Sequence, residues 1–314
     1  MYKNKKIAVI VPAYNEEKLV GKVITTTPDF VDEIIVIDDC SKDATSAVVT
    51  SFIDSEPERV HLIRHEKNTG VGGAILSGHK SALEDGMDIM VVMAGDAQMD
   101  PTDLPALLDP VAEGLADFSK GNRFINGEAW INMPRLRFFA NAGLSFLNKF
   151  ASGYWQISDP QCGYTAISSD ILKKLDIKKI SSGYHFENSL LIHLNMVNAR
   201  VVDVPIKAVY GIGERSGINH VIALFTFSVF LFKSFWWRLT QKYVIRDFHP
   251  LYFFYLFGFS FFLIGFAFGI YILVLRLNGQ LITSNSVMFA VFLLTTGLQM
   301  LLFAMWFDRD YLRR

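Results

Sequence analysis

The segment DIMVVMAGDAQMDP, residues 88–101, joins an uninterrupted apolar run to a short acidic loop. A short apolar run without polar alternation indicates a strand buried on both faces, as in a parallel sheet covered by helices. The loop after it carries Asp96, Gln98 and Asp100. In sheets of this kind, ligands bind beyond the carboxyl ends of the strands. The segment therefore predicts an α/β fold whose binding site includes this loop.

The sequence before this segment repeats the alternation of strand and helix. The predicted strands are KIAVIVP (6–12), DEIIVID (32–38) and RVHLIRH (59–65), with helical patterns between them and a helix from about Val71 to Glu84. Continuous apolar strands joined through helices favour a mostly parallel sheet. The apolar run that begins after Lys6 meets Pro12 after only a few residues, so we interpret the start of the chain as a first strand and not as a signal peptide.

Polar clusters follow three of these strands. They are PAYNEE (12–17), DDCSKDATS (38–46) and GDAQMD (95–100). Each cluster alone is typical of a turn or a helix cap. Because parallel strands end at the same edge of a sheet, the three together indicate a binding site.

A dinucleotide-binding Rossmann fold is the alternative for such a sheet. The cluster NTGVGGA (68–74) supplies Gly70, Gly72 and Gly73, but the last glycine of the fingerprint would fall on Ile75. The cluster also follows the third strand and not the first. We interpret these glycines as residues that let a helix begin close to the sheet.

Composition limits the class of protein. The chain has 314 residues, of which 51% are hydrophobic, and a net charge of −1. A general nucleic-acid binder would carry a broad basic excess, so nucleic acid is not an expected partner. Cys40 and Cys162 are too few for a disulfide framework, and we expect reduced thiols.

The last third of the chain contains two long apolar segments. LYFFYLFGFSFFLIGFAFGIYILVL (251–275) and VMFAVFLLTTGLQMLLFAMWF (287–307) are each long enough to cross the hydrocarbon of a bilayer. A short polar segment connects them. They predict a transmembrane helical hairpin, and the membrane is therefore an expected partner.

A third apolar segment, VIALFTFSVFLFKSFWW (221–237), is either another span or a helix lying at the membrane surface. Basic residues, which stay cytoplasmic, flank both certain spans: Arg238, Lys242 and Arg246 precede the first, and Arg309, Arg313 and Arg314 follow the second. We predict an interfacial helix with these first three residues on one basic face. The α/β domain and both termini are then cytoplasmic, with two spans.

The predicted organisation has three parts. Residues 1–218 form an α/β domain, residues 219–247 an interfacial juxtamembrane region, and residues 248–314 the transmembrane hairpin with spans at about 251–275 and 287–307. The oligomeric state stays open, and a homo-oligomer is compatible with the sequence.

The motifs VPAYNEE (11–17), IIVIDDCSKDATS (34–46) and GDAQMDP (95–101), in this order and spacing, resemble family 2 glycosyltransferases. With GNRF (121–124), SDPQCGYTAIS (158–168) and RDFHP (246–250), the resemblance is to the membrane-anchored, dolichol-phosphate mannose synthase-like enzymes and covers nearly the whole chain. It implies a GT-A fold and the inverting transfer of a sugar from a nucleotide diphosphate to a polyprenyl phosphate.

The resemblance also implies roles for particular residues. Positions matching Pro12, Tyr14, Glu16 and Asp39 line the nucleotide pocket in the family. Asp96 and Gln98 can present oxygen ligands to Mg²⁺ or Mn²⁺ from one side of an extended loop. The family usually has an acid where this chain has Ala94, and this departure removes one anionic contact. Alternatively, Glu16 stabilises a helix N-terminus and Asp100 caps the helix that follows it.

Arginines and acids are expected around the phosphates and the sugar. Arg123 and Arg215 are predicted to bind the donor, and Arg135 and Arg137 the acceptor phosphate, because a guanidinium fork suits phosphate. The resemblance places Asp159 near the acceptor, with Asp96, Arg123 and Asp159 as the catalytic set. Glu187 is another acid that could approach the sugar; otherwise it is a helix-start residue.

The variant GDAQMDP resembles family members that use UDP-glucose or UDP-N-acetylglucosamine more than it resembles the mannose synthases, and this resemblance implies a UDP-sugar donor. A processive polysaccharide synthase is one alternative, although such chains carry more spans and a QxxRW motif that this sequence lacks. A non-catalytic nucleotide-sugar-binding scaffold is another, and Ala94 is its only support.

Overall fold

The computed structural model describes residues 1–125, 135–207 and 220–311, and it describes the side chains of all of these except 135–141 and 220–224. The strands are β1 (Ile7–Ala13), β2 (Glu33–Asp38), β3 (Val60–Arg64), β4 (Ile89–Val92), β5 (Phe118–Asn122), β6 (Thr165–Ser168) and β7 (Val201–Pro205). The α-helices are α1 (Val20–Thr26), α2 (Thr45–Ile53), α3 (Val71–Glu84), α4 (Leu104–Ala112), α5 (Arg135–Ser152), α6 (Ser169–Leu172), α7 (Phe186–Met196), α8 (His220–Thr240), α9 (Leu251–Leu277) and α10 (Ser284–Tyr311). Short 3₁₀ turns span Pro101–Asp103 and Ile177–Lys179, and a π-helix spans Gln241–Arg246.

The seven strands form one sheet in the order β3-β2-β1-β4-β6-β5-β7. Every neighbouring pair is parallel except the two that involve β6. Because β6 runs in the opposite direction, its first residue, Thr165, lies beside Val92 of β4 and Lys120 of β5. The segment before β6 therefore reaches the same edge as the loops after β4 and β5. The mostly parallel α/β fold predicted from the sequence is confirmed.

The central strands β1 and β4 are apolar throughout because helices cover both faces of the sheet. In β1, Val9 and Val11 belong to a core shared with α1 and α4. Ile10 points to the other face, where Gly78 of α3 approaches so closely that a Cβ atom there would lie 2.3 Å from an Ile10 methyl group. Successive strand residues face opposite sides of the sheet. When helices cover both sides, as at β1 and β4, the side chains on both sides are buried and apolar.

The glycines at the start of α3 lie against the segment before α7, and not against the sheet as predicted. A Cβ on Gly70 or Gly72 would come within 2.9 Å of the Ser182 carbonyl oxygen or the Phe186 side chain. Gly70 also has φ +83°, which favours glycine. The absence of a side chain at these two residues therefore leaves room for the segment before α7. Among the glycines of α3, it is Gly78 that lets the helix pack closely on the sheet.

The described chain divides into two compact units, Met1–Ser234 and Phe235–Arg314. Within the second unit, α9 and α10 pack through small residues, since a Cβ on Gly297 would lie 2.5 Å from the Phe262 nitrogen. In the part of the chain that the structure describes, these are the two helices long and apolar enough to cross a membrane. The boundaries predicted at residues 218 and 247 stay predictions.

The prediction of one basic face on residues 238–246 is wrong for two of its three members. Arg238 is fully buried and binds Asp308 through two hydrogen bonds, and Lys242 is only 3% exposed. Arg246 alone is exposed. The side of the helix that carries Arg238 and Lys242 is turned inward, where Arg238 pairs with Asp308. Arg246 leaves that side because residues 241–246 form a π-helix, whose wider turn changes the direction of each side chain.

Candidate active site

The three polar clusters lie together at the carboxyl edge of the sheet. Pairing of β1 with β2 and β4 brings their last residues side by side, and the Gly95 N–H donates to the Pro12 carbonyl oxygen at 3.1 Å. Each loop contains one non-glycine residue with positive φ: Asn15 at 57°, Cys40 at 66° and Ala97 at 55°. Such conformations are costly and collect at functional sites. The edge thus has the geometry of a binding site.

A cavity of about 480 Å³ opens at this edge. Its lining includes three of the predicted nucleotide residues, Pro12, Tyr14 and Asp39, and Tyr14 is 45% exposed. The sequence analysis missed the opposite wall, which consists of Asn68, Gly70, Val71, Ala74, Gly183 and Tyr184. Tyr184 is 69% exposed, so two accessible tyrosines face the cavity. An aromatic residue beside a run of small residues was the available signal for this wall.

Asp39 holds the cavity wall in place. Its carboxylate accepts hydrogen bonds from the backbone N–H groups of Thr69 (2.8 Å) and Gly70 (2.9 Å), from the Thr69 hydroxyl (2.9 Å), and pairs with His65 Nδ1 at 2.7 Å. Burial acts to raise its pKa, but these hydrogen bonds hold the pKa below its ordinary value. Asp39 therefore lies in the predicted pocket as an anchor for the Asn68–Gly70 segment.

Glu16 lies beside the acidic loop after β4 and does not line the cavity. Its backbone N–H donates to the Thr45 hydroxyl at 2.8 Å, which connects the loop after β1 to the start of α2. Burial, with the charges of Asp96 and Asp43, raises the pKa of Glu16. Because α1 begins only at Val20, Glu16 is not a first-turn acid of that helix.

The loop after β4 presents a carboxylate and a carboxamide from one short turn. The Gln98 N–H donates to Asp96 Oδ1 at 3.1 Å, and both side chains are partly exposed. Met99 Sδ lies next to Ala94 and accepts a hydrogen bond from the Ala94 N–H at 3.3 Å. Asp100 caps the following 3₁₀ turn through the Thr102 N–H, as the alternative interpretation of that residue predicted.

This donor set suits a hard cation that is also held by phosphate oxygens. Carboxylate and amide oxygens are ligands that Mg²⁺ and Mn²⁺ accept, often only one or two from the protein. Among the residues that the structure describes, no three His, Cys, Asp or Glu side chains form a metal site. Asp96 and Gln98 thus fit a divalent cation that arrives with a diphosphate.

Arg123 and Asp159, both predicted site residues, bind each other. Arg123 Nε lies 2.7 Å from Asp159 Oδ2, Nη2 lies 2.9 Å from Oδ1, and the Arg123 backbone N–H donates to Oδ2 at 3.3 Å. The Asp159 side chain is 2% exposed and that of Arg123 is 24% exposed. The pair joins the end of β5 to the segment before β6, at the same edge as the cavity.

Comparison with known proteins identifies the family. Residues 8–176, more than half of the chain, match the model described as glycosyl transferase family 2. The chain belongs to this family. It is 33% identical over 219 residues to a UDP-N-acetylglucosamine–dolichyl-phosphate N-acetylglucosaminyltransferase of Methanococcus voltae, covering 66% of this chain and 87% of that one. It is 32% identical over 229 residues to a polyprenol monophosphomannose synthase of Mycolicibacterium smegmatis, covering 70% and 85%.

A solved structure shares the fold of this glycosyltransferase. Glucosyl-3-phosphoglycerate synthase from Mycobacterium tuberculosis, in complex with Mn²⁺, uridine diphosphate and phosphoglyceric acid, superposes with a TM-score of 0.53 at 20% identity, over 75% of this chain and 78% of that chain. At this level of identity the likeness shows the fold. Together with the family match, it confirms the GT-A architecture.

Three predicted arginines of the glycosyltransferase have no described side chain. Arg135 and Arg137 begin α5, as the sequence suggested, but their side chains lie outside the described residues. Arg215 lies in the segment 208–219, which is also outside them. Their predicted contacts with phosphate stay predictions.

The glycosyltransferase has buried charges beneath the site that the sequence analysis missed. Lys120 of β5 is 1% exposed, and its ammonium group donates to the Cys162 carbonyl oxygen. Asn122 donates to Asp203, which also accepts from the Ser158 N–H at 2.8 Å. A lysine inside the otherwise uncharged strand FSKGN was the only signal. These contacts fix the segment 158–162 against β5.

Proposed function

We propose that this glycosyltransferase moves a sugar from a nucleoside diphosphate sugar to a polyprenyl phosphate at the cytoplasmic face of a membrane, with inversion at the anomeric carbon. One observation carries the proposal. Pro12, which lines the cavity together with Tyr14, Tyr184 and the Asp39-anchored segment, is hydrogen-bonded to Gly95 of the loop that carries Asp96 and Gln98, in a chain that also contains two apolar helices long enough for a membrane.

The cavity suits the nucleoside part of the donor. Tyr14 and Tyr184 offer aromatic surfaces to a base, and the backbone around Asn68 and Gly70 is held rigid by Asp39. Glu16, which lies outside the cavity lining and interacts with the charge of Asp96, would bind a ribose hydroxyl directed toward the loop after β4. The Pro12 carbonyl oxygen accepts a hydrogen bond from the Gly95 N–H and so connects the end of β1 to the loop after β4.

Asp96 and Gln98 would hold Mg²⁺ or Mn²⁺ against the diphosphate, and the cation would neutralise charge on the departing nucleotide. Arg123 has its guanidinium fixed by Asp159 and partly exposed, so it can contribute a further positive charge toward phosphate. Arg135, Arg137 and Arg215 are the remaining candidates for donor and acceptor phosphates.

The transfer needs no strong general base. The attacking group is a phosphate oxygen of the acceptor, whose second ionisation, as for other phosphate monoesters, lies at about pH 6. It attacks the anomeric carbon opposite the nucleotide, the bond from that carbon to the diphosphate oxygen breaks, and the configuration inverts. The acceptor's lipid tail stays in the bilayer, where α9 and α10 would anchor the enzyme with two spans and cytoplasmic termini.

A UDP-sugar is the favoured donor. The M. voltae relative is named for a UDP-N-acetylglucosamine donor and a dolichyl-phosphate acceptor, in agreement with the preference that the GDAQMDP variant suggested. The M. smegmatis relative is named for mannose, so a donor panel must contain both nucleotides.

The test is an incubation of the purified enzyme with each of UDP-glucose, UDP-N-acetylglucosamine and GDP-mannose, labelled in the sugar, with a polyprenyl phosphate and Mg²⁺ or Mn²⁺. We expect organic-extractable label that depends on the cation. Asp96→Ala should reduce the rate at least about a hundredfold, since it removes the only charged protein ligand. Asp54→Ala, a change at an exposed acid after α2, should leave the rate unchanged.

Insoluble labelled polymer would indicate a polysaccharide synthase, and nucleotide binding without any transfer would indicate a scaffold. Either result refutes the proposal. If Asp96→Ala retains the wild-type rate and the wild-type dependence on the cation, the metal assignment is wrong.

A further inference from the structure

We propose that His185, held by two aromatic residues of α8, is a positioning residue that fixes the Tyr184 wall of the nucleotide cavity. The inference rests on the proposed function, because it takes that cavity as the binding site of a nucleoside diphosphate. It gives α8, which was predicted only to lie at the membrane surface, a second role in support of the donor site.

The wall that contains Gly183 and Tyr184 depends on the residues that flank it. Both residues line the cavity and are exposed, and glycine has no side chain with which to pack. Before them, the Ser182 carbonyl oxygen accepts a hydrogen bond from the Gly73 N–H of α3 at 3.1 Å. After them, α7 begins at Phe186. The residue between Tyr184 and α7 is therefore the second anchor of this wall.

That residue is His185, whose ring packs against two phenylalanines of α8. The ring is stacked on that of Phe230, with centroids 4.7 Å apart and planes 13° apart. It meets the ring of Phe227 edge-on at 4.4 Å. The His185 carbonyl oxygen also accepts a hydrogen bond from the Ser189 N–H at 2.8 Å, inside α7. His185 is thus held at its ring and at its backbone, one peptide bond from Tyr184.

The aromatic surface of His185 makes this contact, and its buried nitrogen does not. Nδ1 is buried, and no described residue forms a hydrogen bond with it. Burial lowers the pKa of His185, so the neutral ring prevails at neutral pH. Aromatic pairs stabilise a contact beyond the area that they bury. Phenylalanine at this position should therefore keep the contact, and alanine should lose it.

The side of α8 that meets His185 is distinct from its exposed apolar side. Phe227 and Phe230 are partly buried, whereas Phe225 and Phe232 are 72% and 61% exposed. Seven residues make about two turns of an α-helix, so Phe225 and Phe232 share one side, roughly half a turn from Phe227. Phe232 therefore offers a matched control on the same helix, outside the contact with His185.

His185 and α8 both lie beyond residue 176, where the match to the family model ends. The cavity is thus completed by parts of the chain outside the matched region, since Tyr184 forms its wall and α8 supports that wall through His185. Donor binding in this enzyme should then depend on a helix that precedes the first candidate span in the sequence.

The experiment measures the binding of UDP and GDP to the full-length enzyme in detergent, by calorimetry with Mg²⁺ and without an acceptor. It compares wild type with His185→Ala, His185→Phe, Phe230→Leu and the control Phe232→Leu. The same variants are then assayed for transfer with the nucleotide sugar that wild type uses best. Thermal unfolding verifies that each variant is folded.

We expect His185→Ala and Phe230→Leu to bind the nucleoside diphosphate about three- to tenfold more weakly than wild type, the range for one aromatic pair. The KM for the donor should rise with little change in kcat, as for the loss of an interaction that serves binding alone. His185→Phe should stay within about twofold of wild type, because the stacking is retained. Phe232→Leu should match wild type.

The effect of His185 should pass through Tyr184. Tyr184→Ala removes the aromatic wall and should itself weaken nucleotide binding. Adding His185→Ala to Tyr184→Ala should cause no further loss, because the group that His185 positions is already absent. A residue that only stabilises the fold would lower the unfolding temperature and leave the affinity of the folded enzyme unchanged.

The inference is wrong if His185→Ala and Phe230→Leu keep the wild-type affinity, if Phe232→Leu weakens binding as much as Phe230→Leu, or if the losses from His185→Ala and Tyr184→Ala add. Should His185→Ala not fold, Phe230→Leu decides the matter. An enzyme that binds nucleotide but transfers to another acceptor refutes the proposed function and still tests His185. A wild-type enzyme that binds neither UDP nor GDP refutes both.

Discussion

Each of the two units of this glycosyltransferase contains an arginine bound to an aspartate through two hydrogen bonds, and the two pairs differ in access to solvent. In the first unit, Arg123 is 24% exposed while Asp159 is enclosed. In the second unit, Arg238 and Asp308 are both fully buried, and the Tyr243 hydroxyl adds a hydrogen bond to Asp308 at 2.6 Å. The bond lengths of the two pairs are nearly the same, from 2.7 to 3.0 Å.

The difference in solvent access suggests different roles for the two Arg–Asp pairs. The Arg123 side chain is partly exposed at the edge that, under the proposed function, receives phosphate, so Asp159 would fix the direction of a charge that a ligand can use. Arg238 is enclosed, and its charge is paired with the equally enclosed carboxylate of Asp308. A buried pair is strongly destabilising to break, because one uncompensated charge remains. The open pair should therefore affect catalysis, and the closed pair should affect stability.

The largest expected effect is the loss of stability from breaking the closed pair. Asp308→Asn removes the carboxylate that pairs with the buried Arg238, and we expect the second unit to lose about 3–5 kcal/mol of unfolding free energy. Chemical denaturation in detergent, followed by tryptophan fluorescence, measures it. Replacing both members, as Arg238→Met with Asp308→Leu, should restore most of the loss. If the single variant is as stable as wild type, the pair is not structural.

The next largest effect is the loss of transfer from breaking the open pair. Asp159→Asn removes the charge that directs Arg123, and we expect the transfer rate to fall about a hundredfold, within the range for truncating one partner of a hydrogen-bonded charge pair. The unfolding free energy should fall by only about 1 kcal/mol, since water reaches Arg123. Asp170→Asn, at an exposed position in α6, is the matched control. If Asp159→Asn loses stability without losing activity, the Arg123–Asp159 pair is structural, like the Arg238–Asp308 pair.

The fold could be predicted because it depends on local pattern. Strand IAVIVPA is apolar at every position, EIIVID is apolar between its two terminal acids, and the helix predicted from Val71 to Glu84 has those same bounds in the structure. The three clusters at the carboxyl edge were predicted for the same reason, since parallel strands end together. The order of strands β6, β5 and β7 was not predictable, because it depends on pairings between distant segments of the chain.

The partners of the charged residues could not be predicted, because they are set by contacts over long sequence separation. Arg123 and Asp159 were both chosen as site residues, but nothing in the sequence indicates that they bind each other. Arg238 seemed to belong to a surface stripe, and the residue that removes it from the surface is Asp308, at the other end of the second unit's sequence. Tyr184 was missed because an isolated tyrosine in a loop carries no periodic signal.

The smallest effect concerns Asp39, a buried carboxylate stabilised by N–H and O–H donors without an arginine. Its folded-state pKa is lowered, so its contribution to stability is present above the unfolded value of about 4 and is lost as the pH falls through the lower, folded-state value. At pH 6 to 7, Asp39→Asn should reduce the unfolding free energy by about 1 kcal/mol, because the amide group faces donors that it cannot satisfy. The difference between wild type and variant should shrink from about pH 4 downward, as measured by denaturation at each pH. Asp54→Asn, at an exposed acid, should match wild type at neutral pH. A difference that stays constant in acid would mean that folding does not lower the pKa of Asp39, and one that grows would mean that folding raises it. In either case the anchoring of the Asn68–Gly70 segment would need another cause.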